Sequence, residues 1–426
     1  MAERLPSTLP YFRGPRPRVA VICFHTSPTA ALGHSANGGL NVYVREVCRQ
    51  FSARNVATDV FTRIAAGAGP VVENLAPLSR VVYLPAGLAE VDKYQLVDHV
   101  EDFATAVARF ARDEGLRYDL LYSHYWLSGA VACTLHARWR LPWVHTAHTL
   151  AVVKNRSLPP GDVAEPPLRE LLEGEIARSA DLLVVSTKAE GEALRHAYRL
   201  RPDRIAVVAP GVDLERFGDV KRFTAAGRTV LFVGRLERLK GADIALRAFA
   251  QAAADHPDVR LLVLGGDSYT QGESERRRLA GIARELGLKH RVSFLGSVPQ
   301  DELPAFYANA EALLMPSYSE SFGLVGLEAQ ACGCPVIAAD VAGLASVVRD
   351  GATGFLVPGH DPAQYAERLR RLLDDPALAR TLGRRGRLLA QGFSWERTAD
   401  RLLAAVSPWL EAARPQLTVQ AGARTE

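Results

Sequence analysis

Glu320 and Glu328 flank a glycine turn in the run Ser319-Glu320-Ser321-Phe322-Gly323-Leu324-Val325-Gly326-Leu327-Glu328. Leu313, Leu314 and Met315 read as the end of a buried strand that stops at Pro316, and Ala329, Gln330 and Ala331 continue as helix formers. The unit is therefore strand, loop, Glu320, turn, and a helix that carries Glu328. In an open α/β sheet, ligands bind at the mouth of such a unit. The free N–H groups at the helix start suit an anion, and the two carboxylates can accept hydrogen bonds from hydroxyls. A phosphate with hydroxyl-bearing groups on both sides, as in a nucleotide sugar, fits that arrangement.

Two cations come from the same half of the chain. Phe232-Val233-Gly234-Arg235-Leu236 closes another apolar strand, and Lys240-Gly241 opens the helix after it. Both charges fall on the ligand side of the sheet. There they would stabilise a diphosphate leaving group carrying about two negative charges. In the first half, His25-Thr26-Ser27-Pro28 follows a strand, and Gly38-Gly39-Leu40-Asn41-Val42-Tyr43-Val44 opens a helix whose paired glycines let backbone N–H groups approach a phosphate. Residues 123–129 (SHYWLSG) and 145–149 (HTAHT) follow two further strands. No G-x-G-x-x-G fingerprint or P-loop is present. His145 and His148 lack an H-E-x-x-H context and a carboxylate at ligand spacing, so no metal site is expected.

The elements that must position these residues alternate along the chain. Strand patterns at 18–23, 59–61, 81–83, 119–122, 143–146 and 182–185 are separated by helical patterns such as 97–114. The pattern breaks near 209–212 and restarts at 229–235, 259–265, 292–295 and 335–338. This predicts an α/β fold of two Rossmann-like doubly wound domains, residues 1–211 and 212–393, facing a central cleft. Ser394 is the expected N-cap of a last helix over 394–411.

Composition sets the bounds. A chain of 426 residues with 48% hydrophobic and 23% charged residues is long enough for two cores. Lys and Arg total 51 against 47 Asp and Glu, and this small, well-mixed excess speaks against a nucleic-acid partner. Five scattered cysteines suit a reducing compartment, with Cys23 and Cys48 as packing residues. The polar, proline-rich start and the absence of a span-length apolar run predict a soluble cytoplasmic protein with no membrane span. A homodimer is the default expectation.

The Glu320 to Glu328 stretch resembles the E-x7-E signature of retaining glycosyltransferases with the GT-B fold, and F-V-G-R-L followed by K-G resembles their diphosphate-binding signature. The resemblance implies that Glu320 contacts the donor sugar and Glu328 the ribose. It also implies that the backbone at Phe322, Gly323 and Leu324 meets the diphosphate together with Arg235 and Lys240. It implies further that the last helix crosses back onto the first domain. HTSP, GGLNVYV, SHYWLSG and HTAHTLAVVKN are similar to the members of this family that glycosylate inositol 3-phosphate, at the start of mycothiol biosynthesis. That similarity covers nearly the whole chain from Arg18 to about Leu403. It implies an acceptor phosphate held by Lys93, Tyr125, Thr149 and Arg169, and an acceptor-side contact from Asn41. His25 and Gly39 match further substrate contacts, Gly39 toward the donor, and His148 a residue beside the donor sugar.

The expected reaction moves a sugar, N-acetylglucosamine by resemblance, from a UDP-sugar co-substrate to a phosphorylated polyol with retention. No cofactor is required. His148, Arg235, Lys240 and Glu320 form the catalytic group. Attack from the front face through an oxocarbenium-like state is the implied route. The chain departs from the family pattern at Ala31-Leu32 and Ala36-Asn37, where Gln-Pro and an Asp before Gly-Gly are usual. The acceptor ring therefore stays open, with fructose 6-phosphate, as for sucrose-phosphate synthases, the alternative. A UDP-sugar epimerase or a non-catalytic nucleotide-sugar-binding protein are the readings from other classes.

Overall fold

The computed structural model describes residues 16–30, 38–67, 69–88, 92–218, 220, 227–267 and 274–412. The departure at Ala31-Leu32 and Ala36-Asn37 lies outside the described residues. The first sheet contains β1 (Arg18–Ile22), β2 (Ala57–Ile64), β3 (Val71–Ala76), β4 (Ser79–Pro85), β5 (Leu120–His124), β6 (Trp143–Thr146), β7 (Leu182–Val185) and β8 (Ile205–Val207). The second contains β9 (Arg228–Val233), β10 (Val259–Leu264), β11 (Val292–Gly296), β12 (Ala310–Met315), β13 (Val336–Ala339) and β14 (Gly354–Val357).

The strand orders are β3-β4-β2-β1-β5-β6-β7-β8 and β11-β10-β9-β12-β13-β14. All pairings are parallel except β3 with β4. The second order is the doubly wound 3-2-1-4-5-6 arrangement, and the first repeats it with an added strand at each edge. In each sheet the strand order reverses beside the first strand, between β1 and β5 and between β9 and β12. A crevice opens there at the carboxyl ends of the strands. Strands such as β1, β5 and β13 are buried along almost their whole length because helices cover both faces, which is why they read as continuous apolar runs.

Three strands escaped the sequence pattern, β14 (GFLV) among them as a four-residue edge strand. β3 (VVENLA) is an exposed antiparallel edge with no buried face to impose a period, and β8 is only three residues long. The helix expected over 97–114 begins as a 3-10 turn at Gln95–His99 and becomes α-helical at Val100–Asp113. The last helix, Trp395–Ala412, starts after Ser394, whose Oγ accepts from the Arg397 N–H at 3.3 Å. Its Trp395, Leu402, Val406 and Leu410 share a buried cluster with Val19, Val21, Val44 and Val47 of the first sheet's layer. Arg54 pairs with Asp400 at 2.7 Å across the same seam. Cys23 and Cys48 are buried, and all five cysteines are free thiols. Among the described residues no helix is long and apolar enough to cross a membrane.

Candidate functional site

On the first sheet, the residues that follow β1, β5 and β6 gather around one cationic centre. Arg169, on the helix Pro167–Ser179, is almost fully buried. Its Nη1 reaches Glu165 at 2.9 Å, its Nε reaches Glu173 at 2.7 Å, and its Nη2 donates to Thr149 Oγ1 at 2.9 Å. Its guanidinium also lies 4.9 Å from the centroid of the Tyr125 ring. Glu165 accepts from Lys154 Nζ at 2.6 Å and from the Tyr94 hydroxyl at 2.7 Å, and Lys93 Nζ stands 3.8 Å away. Burial opposes ionisation of Glu165, but Arg169, Lys93 and Lys154 together hold its carboxyl well below the usual range. Lys93, Lys154 and Arg169 thus carry three positive charges against two from Glu165 and Glu173, a net attraction for an anion.

His25 packs its ring 4.5 Å from that of Tyr125. Desolvation first, then the nearby cations Lys93, Arg169 and Arg235, push its pKa down to about 3. Its buried Nδ1 has no hydrogen-bond partner among the described residues and is free to bond a ligand hydroxyl or phosphate oxygen. Tyr125 has φ +76° and ψ 157°, a region otherwise kept for glycine, and His148 has φ +59°. Both therefore store backbone strain at the edge of the crevice.

On the second sheet, Arg235 follows β9 and pairs with Glu237. Lys240 ends the 3-10 turn Arg238–Lys240 and places Nζ 2.5 Å from Glu320 Oε1, which also accepts from Ser317 Oγ at 3.3 Å. Lys240 is brought there because Gly241 (φ +69°) passes so close to β12's end that a β-carbon would stand 2.2 Å from the Pro316 carbonyl oxygen. Gly323 (φ +97°) turns the chain into the helix Leu324–Ala331 and leaves that helix's first N–H groups open. Glu328 on this helix accepts from Gln300 Nε2 and from the Tyr307 hydroxyl, each at 3.3 Å, and burial raises its pKa to about 7.

The two halves touch. The Ser321 hydroxyl donates to the His148 carbonyl. A β-carbon on Gly39, the first residue of the helix Gly39–Ala53, would stand 3.2 Å from Leu324 Cδ1, at the start of the facing helix. One on Gly38 would stand 3.8 Å from Arg235 Nε. Two helix starts and the cations Arg235 and Lys240, each paired with a glutamate, therefore lie along one seam, where open backbone N–H groups suit an anion.

Most of the sequence-predicted residues come together here: His25, Lys93, Tyr125, Thr149 and Arg169 on one side, Arg235, Lys240, Glu320 and Glu328 on the other, and Gly39, Gly323, Leu324 and His148 between them. One is corrected. Asn41 is fully buried, and its amide is spent within the protein. Nδ2 donates to Thr26 Oγ1 and the Ser27 carbonyl, both at 2.6 Å, while Oδ1 accepts from the Gly38 N–H at 2.8 Å. Asn41 therefore ties the β1 loop to the helix start and does not present its amide to an acceptor. The Phe322 side chain is buried in the second core and packs on Phe393, which leaves to its backbone the contact the resemblance implied.

Sequence reasoning missed Glu165, Glu173, Lys154 and Tyr94. A signal existed for the two glutamates, which lie four residues before and after Arg169, the spacing of helical ion pairs.

The family described as Glycosyl transferases group 1 matches residues 219–389, and the Glycosyl transferase 4-like domain matches residues 38–211. The chain is 43% identical to a D-inositol 3-phosphate glycosyltransferase of Corynebacterium jeikeium, over 90% of this chain and 95% of that one. It is 46% identical to one of Mycolicibacterium paratuberculosis, over 91% and 89%. The structure of a sucrose-phosphate synthase from Thermosynechococcus elongatus superposes with a TM-score of 0.86 at 34% identity, covering 94% of this chain and all of that one. The chain therefore belongs to the GT-B glycosyltransferases and, within them, to the family of the D-inositol 3-phosphate glycosyltransferases.

Proposed function

We propose that this enzyme transfers N-acetylglucosamine from UDP-N-acetylglucosamine to 1D-myo-inositol 3-phosphate with retention of anomeric configuration. The observation that carries the reading is the opposition of two clusters of cationic side chains. Lys93, Lys154 and Arg169 belong to the first domain, and Arg235, Lys240 and a helix start to the second, with the contact between Gly39 and Leu324 between them. The second cluster takes the diphosphate of the donor, with Glu320 toward the sugar and Glu328 toward the ribose. The first takes the phosphate of the acceptor, with Tyr125 and Thr149 at its edge.

Arg235, Lys240 and the N–H groups after Gly323 stabilise the negative charge that grows on the leaving phosphate as the sugar–phosphate bond breaks. The acceptor hydroxyl attacks from the same face, and its proton passes to the leaving phosphate oxygen. Burial keeps His148 neutral, with a pKa of about 3, so beside the sugar it accepts or donates a hydrogen bond without adding charge. Fixed cations supply the charge compensation, so activity is expected to survive excess chelator.

A second reading, transfer to fructose 6-phosphate, is favoured by the likeness to sucrose-phosphate synthase. The higher identity to the inositol phosphate enzymes ranks it below the first. A donor-by-acceptor matrix with mass detection decides between them, and NMR of the product's anomeric proton reads the stereochemistry. Product formed from fructose 6-phosphate and none from inositol 3-phosphate would reverse the ranking.

A further inference from the structure

Gln300, just beyond β11, stands where the two domains meet. Its Oε1 accepts from Arg45 Nη2 at 2.5 Å and from Arg216 Nη1 at 3.0 Å. Arg45 comes from the helix Gly39–Ala53 of the first domain, and its Nε is held by Glu46 at 3.0 Å. Arg216 comes from the short helix Leu214–Phe217. Guanidinium groups only donate, so they turn the amide oxygen of Gln300 toward themselves and its NH2 group onto Glu328 Oε1, 3.3 Å away. The two positive charges therefore act on Glu328 through a neutral spacer.

The spacer matters chemically. An ionised carboxylate has about four lone-pair positions. A direct arginine fork would engage both oxygens at once. Gln300 takes one position on Oε1 and Tyr307 one on Oε2, leaving the others for a ligand.

We infer that Gln300 is a positioning residue that holds Glu328 for the nucleoside hydroxyls, and that Arg45 of the facing domain holds Gln300. The ribose end of the nucleotide pocket is then complete only when the domains are together. This rests on the reading of Glu328 as the ribose contact.

The test measures Kd for UDP and for 2′,3′-dideoxy-UDP by calorimetry on the full chain. Loss of a hydrogen bond to a charged group predicts a wild-type preference for UDP on the order of tenfold or more. Gln300→Leu lets the arginines fall onto Glu328. The preference should shrink to about threefold or less, with UDP weakened and the dideoxy compound unchanged. A wild-type preference in folded Gln300→Leu overturns the assignment. Arg45→Met alters only the facing domain, so it leaves the packing around Glu328 intact and should still lose part of the preference. No change there overturns the cross-domain role. Glu328→Gln separates the levels. If it keeps the full preference, Glu328 is not the ribose contact and the inference falls with that reading. If it loses the preference while Gln300→Leu keeps it, only the role of Gln300 falls.

Discussion

Lys240 has two possible duties, neutralising Glu320 and stabilising the leaving diphosphate, and a pair of substitutions separates them. The Lys240 and Glu320 side chains are 21% and 16% exposed and 2.5 Å apart. Removing one partner of a buried pair costs about 3–5 kcal/mol, and exposed pairs are worth about 0–1 kcal/mol. This partly exposed pair should therefore cost about 2 kcal/mol of stability when Lys240→Met strands Glu320. Loss of one charge-stabilising donor from the transition state adds about 3 kcal/mol to the barrier, on the order of a hundredfold in kcat. Glu320→Gln removes the stranded charge. The comparison is therefore Lys240→Met made alone and made in the Glu320→Gln background, with kcat from mass-detected product and stability from urea unfolding. The stability cost should vanish in that background. The rate cost should remain near a hundredfold relative to Glu320→Gln alone. If the rate cost also disappears there, Lys240 is only a counter-ion to Glu320 and its assignment to the diphosphate is wrong.

Other predictions follow from the same geometry. Lys93→Met should raise KM for inositol 3-phosphate about tenfold with kcat nearly unchanged, and an equal loss with unphosphorylated inositol would contradict a phosphate contact. Asn41→Ala should lower the urea midpoint through about 2 kcal/mol of lost hydrogen bonding, whereas a raised acceptor KM at unchanged stability would restore Asn41 as a direct contact. Stability against pH carries two opposed contributions. His25, His145 and His148 have folded pKa values of about 3, below the unfolded value, so their stabilisation is lost as pH falls below about 6.5. Glu190 and Glu328 have folded values of about 7, above the unfolded value, so stability from them is gained as pH falls through 7. Glu328→Gln removes one of these gains and should lose about 2 kcal/mol more than wild type between pH 8 and pH 5.5 in urea unfolding. Parallel pH dependence of the two proteins would refute the burial argument for Glu328.

The grouping around Glu320 and Glu328 was legible because it is local. Glu320, the turn and Glu328 lie in one strand-turn-helix unit, and Arg235 and Lys240 in another, and β9 and β12 are neighbours in the sheet. The grouping of Lys93, Tyr125, Thr149 and Arg169 was legible only by resemblance. These residues follow different strands or sit on a later helix, and no single period links them. Side-chain patterns also mislead where a polar residue serves the fold. Asn41 sits in a motif that faces the cleft, yet burial turned its amide inward because three backbone and hydroxyl groups of the β1 loop needed partners.

By itself, the sequence determined the alternation of buried strands and helices, hence two doubly wound sheets, and the types of charge at the mouths of their strands. Those follow from local periodicity and from residues close together in the chain. Only the tertiary structure decided which polar groups meet: Glu165 and Glu173 around Arg169, and Arg45 with Gln300, 255 residues apart. The reason is that ion pairs and hydrogen bonds depend on distances of a few ångströms, which packing of the helices and the approach of the two domains set, and which spacing along the chain does not encode.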